Sequence, residues 1–411
     1  MTTFQPTTNG TASVRREALT VYHYLLAGQA LRENNAQLPQ RVEVKGQSMV
    51  AIAVDTGNGA MKAAMMTTTG HLISVQISSA YKLAVTLSGG TSPTTYTVDG
   101  SPAFWIGDDA VHLKGDALPI GPTAVRLDDP RQTDFYAAGI VELMIKARCL
   151  PGTYTVALGL GLPNMELQPN AKQNDAGETV EVLAVIPETR QAIKRHLYGK
   201  TYQVRRTDEE GETTLWHLTI GNIYTQAQSY GTWMALTHTI FGTRRTDGIQ
   251  EYTVIDLGRG DTHATTIQLK PTFRMTTQRS GDGTIRQARA VARSLPRFDM
   301  NDAQAQHALI TRSVLDSGRP TSINDVVDGV VERETQDTLA RLLPVLRNQN
   351  AFIIFTGGGT KDRTTQRLIS ERMDSLGRSA TSYMIVHPDV ASTLNAVGTL
   401  LKVLFTTVGT A

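Results

Sequence analysis

Residues 51–65 read AIAVDTGNGAMKAAM and residues 252–267 read YTVIDLGRGDTHATTI, so one pattern occurs twice in the chain. Each copy is an apolar strand that ends in Asp-x-Gly-x-Gly and is followed by a second strand. Glycines at the tip of such a hairpin allow positive φ and bring backbone N–H groups against a ligand, which suits phosphate oxygens. A single Asp-x-Gly-x-Gly segment would indicate only an ordinary Asp-Gly turn. Two copies in matching strand contexts predict a pair of phosphate-binding hairpins.

Charged residues accompany both hairpins. Asp55 and Asp256 stand at the start of the two glycine-rich turns. A carboxylate beside a bound phosphate is favourable only when a cation lies between them, so we predict Mg²⁺ held by Asp55 and Asp256 through water. Lys62 follows the first hairpin, and its long side chain can reach the β- and γ-phosphates as a point charge.

A third glycine-rich segment lies in the second half of the chain. Residues 351–362, AFIIFTGGGTKD, are an apolar run that breaks into Gly357, Gly358 and Gly359. Three consecutive residues without side chains let a flat ligand lie against the backbone. As the third member of an ordered set, this loop is predicted to contact the adenine or the α-phosphate. It offers no side chain that distinguishes ATP from GTP.

In this order the three segments resemble the phosphate-one, phosphate-two and adenosine motifs of the actin superfamily. The segment Asp55-Thr-Gly-Asn-Gly-Ala-Met-Lys62 is similar to D-x-G-[ST]-G-x-x-K, with Asn58 at the Ser/Thr position. The segment Asp256-Leu-Gly-Arg-Gly-Asp-Thr-His263 is similar to D-x-G-x-G-x-T-H. The resemblance implies an α/β actin-like ATPase fold: two duplicated RNase H-like α/β domains with a nucleotide cleft between them. Chain length is closer to ParM-type plasmid-segregating proteins than to eukaryotic actin.

The resemblance also implies roles for individual residues. The implied nucleotide-binding residues are Asp55, Gly57, Asn58, Gly59, Lys62, Gly258, Arg259, Gly260, Gly357, Gly358 and Gly359. Asp256 would organise the Mg²⁺ waters for catalysis, and His263 would help to orient the attacking water. Arg259 departs from the small residue of bacterial relatives, and its long side chain would either crowd the phosphates or contact the γ-phosphate.

A glutamine is expected to hold the attacking water as well. Actin-like proteins place Gln or Glu at the start of a helix just before the second phosphate hairpin. In the segment from Gly221 to Gly231, which reads GNIYTQAQSYG, Gln226 matches this position best when the following glycine is aligned. Gln228 remains the alternative, so Gln226, His263 and Asp256 form the predicted catalytic set.

The hydrophobic pattern predicts how the chain is divided. Residues 1–47 are expected to form an N-terminal extension, a disordered tail followed by a helix over residues 13–35, whose apolar face docks on the protein's own body or on another subunit. The resemblance implies that residues 48–245 form actin-like domain I, to which residues 388–411 return, and that residues 246–387 form actin-like domain II. The predicted strands are 49–54, 71–78, 155–162, 215–220, 251–256, 265–269 and 352–356, and the predicted helices are 133–149, 226–241, 284–295 and 322–348.

Composition sets limits on location and partners. Among the 411 residues, 40% are hydrophobic and the net charge is +2, so a folded protein is expected and direct binding to nucleic acid is not. The single cysteine, Cys149, excludes an intramolecular disulfide framework. The sequence shows neither a secretory signal nor an 18-residue apolar run, so we expect no membrane segment and a cytoplasmic location.

The implied function is an ATPase that binds Mg-ATP between two domains and polymerises into filaments. Hydrolysis would regulate filament stability, and the cargo would be DNA or a plasmid attached through a DNA-bound adaptor protein, or another intracellular structure. The alternative is an actin-fold small-molecule kinase or phosphatase, since the fold hosts several activities. A sugar kinase needs an aspartate as general base, and no clear candidate lies between the hairpins.

Overall fold

The structure is a computed structural model that describes residues 19–26, 37–55, 57, 59–85, 92–173, 179–245, 247–270 and 273–406. Its strands are, in chain order, β1 (Arg41–Val44), β2 (Gln47–Asp55), β3 (Ala60–Met66), β4 (Leu72–Ser78), β5 (Ala80–Leu83), β6 (Thr95–Val98), β7 (Phe104–Ile106), β8 (Asp116–Ala117), β9 (Thr153–Leu162), β10 (Leu167–Gln173), β11 (Thr179–Val185), β12 (Thr201–Thr207), β13 (Thr213–Ala227), β14 (Glu251–Leu257), β15 (Asp261–Gln268), β16 (Arg274–Asp282), β17 (Ser313–Asp316), β18 (Arg319–Ser322), β19 (Phe352–Thr356) and β20 (Tyr383–Ile385). Its α-helices are α1 (Val21–Leu26), α2 (Gly107–His112), α3 (Thr123–Leu127), α4 (Pro130–Lys146), α5 (Pro187–His196), α6 (Gln228–Thr237), α7 (Thr284–Ser294), α8 (Asp302–Thr311), α9 (Asn324–Arg341), α10 (Leu343–Leu346), α11 (Arg363–Ser375) and α12 (Leu394–Thr406).

Two sheets share one topology. Part of the first sheet has the order β4-β3-β2-β9-β13, and the second sheet has the order β16-β15-β14-β19-β20. In each, three antiparallel strands are followed by two strands that join in parallel. The repeat in the sequence is therefore a structural duplication, and the predicted duplicated α/β fold is confirmed. The first sheet continues beyond β13 through β12, β6, β7, β5 and β8.

Both glycine-rich segments are hairpins with equivalent registers. Asp55 on β2 pairs with Lys62 on β3, and Asp256 on β14 pairs with His263 on β15. The strand predicted over residues 265–269 begins earlier, at Asp261, because pairing with β14 continues up to the glycine-rich turn. The Lys62 ammonium is therefore carried directly across the first hairpin from Asp55, and the His263 imidazole directly across the second hairpin from Asp256.

Strand β13 is longer than predicted, and α6 begins later. The prediction had a strand over residues 215–220 and a helix from Gln226. Instead β13 keeps its parallel pairing with β9 until Ala227 lies opposite Leu162, despite an irregularity between Ile220 and Asn222. Gln226 is therefore still a strand residue, and Gln228 is the first residue of α6.

Prolines determine two other helix boundaries. Helix α4 begins at Pro130, where the missing N–H costs nothing, and the Asp129 side chain caps it by accepting from the Arg131 N–H at 2.9 Å. The single helix predicted over residues 322–348 is divided into α9 and α10, with Pro344 near the start of α10. No helix in the described part of the chain is both long and apolar enough to cross a bilayer.

The described part of the N-terminal extension packs on the protein's own body. Helix α1 covers only part of the helix predicted over residues 13–35, the rest of which lies outside the described residues, as does the predicted tail. Val21 is fully buried and its N–H donates to the His238 carbonyl at 2.8 Å. Strand β1 of the extension pairs with β2 and extends the first sheet.

Helices α6 and α12 join the two sheets. One buried cluster contains residues of both sheets together with α1, α6 and α12. The two helices approach so closely that a Cβ added at Gly398 would lie 1.8 Å from the carbonyl oxygen of Gly231. Only residues without side chains permit this contact between backbones.

Asp134 on α4 gives the fold a pH-dependent stability. Burial, with the charges of Asp99 and Asp129, raises the pKa of Asp134 to about 6. A carboxyl whose pKa is raised on folding binds its proton more tightly in the folded state, so stability should fall as the pH rises from about 3.8 to about 6 and should stay level above that. Asp134→Asn should therefore raise the free energy of unfolding by about 1 kcal/mol above that pH, after allowance for partial exposure. Urea unfolding near pH 8 and near pH 4 tests this, since equal effects of the substitution at both pH values would contradict it.

Candidate functional site

A cavity of about 860 Å³ lies between the two sheets, within the range of small-molecule sites. Both hairpin tips and the third glycine-rich loop contribute to its walls, so the structure brings the three motifs together. The lining includes the predicted residues Asp55, Gly57, Gly59, Lys62, Asp256, Gly258, Arg259, Gly260, His263, Gly357, Gly358 and Gly359. Asn58 lies outside the described residues.

Asp55 is the buried charge of the first hairpin. Its side chain is 1% exposed, and its Oδ2 lies 3.4 Å from the Lys62 Nζ. Gln228 donates to the other carboxylate oxygen through Nε2. Burial raises the pKa of Asp55, the Lys62 charge opposes this, and the negative charge of Asp256 raises the pKa further. A cation between the two carboxylates would offset both the burial and the repulsion.

The Asp256 carboxylate accepts a hydrogen bond from α12 on one side and lies close to the backbone of Gly357 on the other. Its Oδ2 accepts a hydrogen bond from Asn395 Nδ2 on α12 at 2.9 Å, and Asn395 Oδ1 accepts from Thr232 Oγ1 on α6 at 2.5 Å. Gly357 has φ of +92°, and a Cβ there would lie 2.3 Å from Asp256 Oδ1. Position 357 therefore requires glycine both for its backbone conformation and for the room it leaves the carboxylate.

These two carboxylates fit a hydrated Mg²⁺ better than an all-protein cage. Both Asp55 and Asp256 are buried and close enough for their charges to repel. Within the described ranges, no group of three or more His, Cys, Asp or Glu residues could hold a metal ion. Mg²⁺ commonly keeps several waters and is bound by one or two carboxylates plus substrate phosphates, which matches this donor set.

Arg259 lies across the tip of the first hairpin. A Cβ on Gly59 would lie 2.8 Å from both Cβ and Cδ of Arg259, so the glycine leaves room for the arginine stem. The guanidinium Nη2 donates to the Asp302 carbonyl at 3.3 Å. Burial lowers the pKa of Arg259 to about 10, so it remains cationic at neutral pH. The side chain thus connects the two hairpins and extends toward α8.

The structure does not bring Gln226 into the cleft. Gln226 is 4% exposed, its Nε2 donates to the Met234 Sδ at 3.6 Å, and it is absent from the cavity lining in the described residues. Gln228 lines the cavity and bonds Asp55. The difference arises because β13 ends late. Gln226 is therefore still a strand residue, and Gln228 occupies the start of the helix, where a water-holding glutamine was predicted.

His263 lines the cavity. It is 3% exposed, and its Nδ1 lies 3.9 Å from Asp261 Oδ1. Its Nε2 lies 3.1 Å from the Ser229 hydroxyl on α6. The second hairpin and the start of α6 therefore position the imidazole together.

Sequence reasoning missed two polar side chains of the cleft. Asn395 holds Asp256 from α12, and no local pattern could reveal it because the contact joins distant segments. Lys361 follows the third glycine-rich loop, and its Nζ donates across the cleft to Gln76 Oε1 at 3.3 Å. A lysine two residues after Gly359 was the available signal for a further cation near the ligand.

Comparison with known proteins gives structural matches. No protein-family model matches the chain, and no curated protein matches it. The archaeal actin homologue Ta0583 is 19% identical, with a TM-score of 0.60 over 86% of this chain and 98% of that chain. Bacillus thuringiensis ParM with ADP is 14% identical, with a TM-score of 0.58 over 87% of this chain and 99% of that chain. The apo pSK41 ParM protein is 16% identical, with a TM-score of 0.54 over 87% and 98%.

Several matched structures contain a nucleotide. Ta0583 is matched in a complex with ADP, and Bacillus thuringiensis ParM is matched with ATP and with AMPPNP. At these low identities the likeness is one of fold. The chain has the actin-like fold that is found in Ta0583 and in ParM.

Proposed function

We propose that this chain is a Mg²⁺-dependent ATPase that binds ATP in the cleft and assembles into filaments. The observation that carries the proposal is the convergence of both Asp-x-Gly-x-Gly hairpins and the Gly357–Gly359 loop on one cavity. Matched structures that contain ADP, ATP or AMPPNP support an adenine nucleotide as the ligand. The proposal includes the division into domain I, residues 48–245 with 388–411, and domain II, residues 246–387.

The proposed site works mainly by positioning and charge neutralisation, which is what phosphoryl transfer to water requires. Backbone N–H groups of the two hairpin tips and the Lys62 ammonium would bind the phosphates. Asp55 and Asp256 would hold Mg²⁺ through water, and the bound ion would neutralise phosphate charge. Gln228, rather than Gln226, would hold the attacking water, with His263 beside it. The glycines at 357 to 359 would lie against the adenosine.

Filament formation is proposed from the resemblance to actin and ParM-type proteins. Subunits would associate head to tail through a heterologous interface, which extends without closing. Hydrolysis in the cleft would then change the contacts between subunits and the stability of the filament. DNA would be moved through a DNA-bound adaptor, since a net charge of +2 provides no strong basic surface.

The test is light scattering with negative-stain electron microscopy of the purified chain, alongside calorimetric titration with nucleotide. We expect filaments with Mg-ATP or Mg-AMPPNP and none in nucleotide-free buffer with EDTA. Filaments that outlast those formed with ATP are expected with AMPPNP, because it is not hydrolysed. ATP binding without polymer at any protein concentration would contradict the filament proposal and favour the small-molecule kinase or phosphatase.

A further inference from the structure

Four buried polar residues form a hydrogen-bond network behind the cleft. They are His263 and Thr265 on β15, Ser229 on α6 and Asn164 just after β9, and none is more than 6% exposed. Asn164 Nδ2 donates to Ser229 Oγ at 2.9 Å and also to Thr265 Oγ1. Thr265 Oγ1 donates to Ser229 Oγ at 3.1 Å. The network therefore converges on one serine hydroxyl.

The directions of the two hydrogen bonds that Ser229 receives indicate where its own hydrogen goes. A hydroxyl has one hydrogen and two acceptor positions. Both acceptor positions of Ser229 are filled, by the Asn164 amide and the Thr265 hydroxyl. Thr265 in turn can accept from Thr277 Oγ1 at 3.2 Å, which leaves its own hydrogen for Ser229. The Ser229 hydrogen is therefore directed to the remaining neighbour, His263 Nε2, at 3.1 Å.

We propose that Ser229 is a positioning residue that holds neutral His263 in the Nδ1–H tautomer. A ring nitrogen that accepts a hydrogen bond carries no proton, so the proton of the neutral ring is on Nδ1. Nδ1 is the nitrogen on the side of Asp261, which lines the cavity. His263 thus donates a hydrogen bond into the cleft, to an acceptor oxygen of the terminal phosphate or of the attacking water.

This inference deepens the proposed function and rests on it for the identity of the acceptor. In the Nδ1–H tautomer the cleft-facing nitrogen cannot take a proton from water. His263 then acts as a fixed donor that stabilises charge or orients an oxygen, rather than as a general base. The tautomer itself is a property of the ligand-free protein, which allows it to be tested without turnover.

Ser229, His263 and Asp261 also form a hydroxyl, imidazole and carboxylate series, but they do not form a nucleophilic triad. Ser229 is fully buried and lies behind the imidazole, outside the cavity lining as far as the chain is described. A substrate atom cannot reach its Oγ, which a covalent mechanism would require. The geometry leaves Ser229 the role of holding the ring.

The direct test is NMR of the ligand-free chain labelled with ¹⁵N-histidine, with the His263 signals assigned from their loss in a His263 variant. At a pH where the ring is neutral, we expect a protonated Nδ1 and an unprotonated Nε2. Ser229→Ala removes the donor and should shift the tautomer ratio about tenfold toward Nε2–H. Ser370→Ala, which removes an α11 hydroxyl bonded to the Gln366 carbonyl, should leave the ratio unchanged.

A protonated Nε2 in the wild-type chain would overturn the proposal, and so would an unchanged ratio in a folded Ser229→Ala protein. Thermal unfolding shows whether that variant is folded. If Ser229→Ala does not fold, the wild-type spectrum by itself shows which nitrogen of the His263 ring is protonated. Absence of ATP hydrolysis by the wild-type chain would refute the proposed function and leave the tautomer assignment standing.

A second test uses two amide substitutions of His263. The amide nitrogen of asparagine overlies the imidazole Nδ1, whereas that of glutamine overlies Nε2. His263→Asn should therefore keep the ATP hydrolysis rate within about tenfold of wild type, and His263→Gln should lower it about 100-fold. The reverse order of rates would place the required donor on Nε2 and contradict the proposal.

Discussion

Gln228→Ala should lower the rate of ATP hydrolysis about 100-fold, whereas Gln226→Ala should leave the rate close to wild type. The two glutamines are separated by a single residue, yet only Gln228 lines the cavity and donates to Asp55. Gln226 is directed to the Met234 sulfur instead. Loss of the Gln228 amide would leave the attacking water without one of its partners and Asp55 without a donor.

The measurement is phosphate release at saturating Mg-ATP, with calorimetric titration to show that ATP still binds. Gln226 is buried, so its replacement can weaken the fold, and thermal unfolding of both variants provides the control. A large loss of turnover in folded Gln226→Ala, with Gln228→Ala unaffected, would return the water-positioning role to Gln226.

Gly398→Ala should destabilise the chain by about 4 kcal/mol, which is large for a single added methyl group. A methyl group at position 398 would lie 1.8 Å from the Gly231 carbonyl oxygen, so α6 and α12 must separate. Flexible side chains cannot relieve this clash because the neighbouring atoms belong to the backbone. Since α6 carries Gln228 and α12 carries Asn395, weaker ATP binding should accompany the loss of stability.

Gly329→Ala is the matched control. Gly329 lies in α9, is exposed, and has no atom within 4 Å of an added Cβ. In a helix interior without steric conflict, alanine is favoured over glycine by about 1 kcal/mol, so this variant should be more stable than wild type. Urea unfolding of both variants measures the two effects. Equal stability of Gly398→Ala and wild type would show that the helices are not in backbone contact.

The sequence was sufficient to predict the duplicated fold because its signals are local. Each hairpin combines an apolar strand, a glycine-rich turn and a charged residue within a short stretch, and the same stretch occurs twice. The cross-strand partners Lys62 and His263 follow from the register that such a turn imposes. The third loop was also recognisable because three adjacent glycines interrupt an apolar strand.

Features that depend on distant pairing were not predictable in the same way. The end of β13 is determined by its pairing with β9, so the choice between Gln226 and Gln228 could not be made from local pattern. Asn395 reaches Asp256 only because α12 returns to pack beside α6. The break between α9 and α10 is different, since Pro344 was a visible local signal that the apolar periodicity obscured.

The most direct test of the central claim is phosphate release from Mg-ATP by the wild-type chain and by Asp256→Ala in the same assay. Asp256 is buried at the second hairpin, faces the cavity and is held by Asn395. We predict Mg²⁺-dependent hydrolysis by the wild-type chain that falls about 1,000-fold in the variant, while thermal unfolding shows the variant to be folded. Mg²⁺-dependent hydrolysis at an unchanged rate in Asp256→Ala, or none in the wild-type chain, would contradict the account.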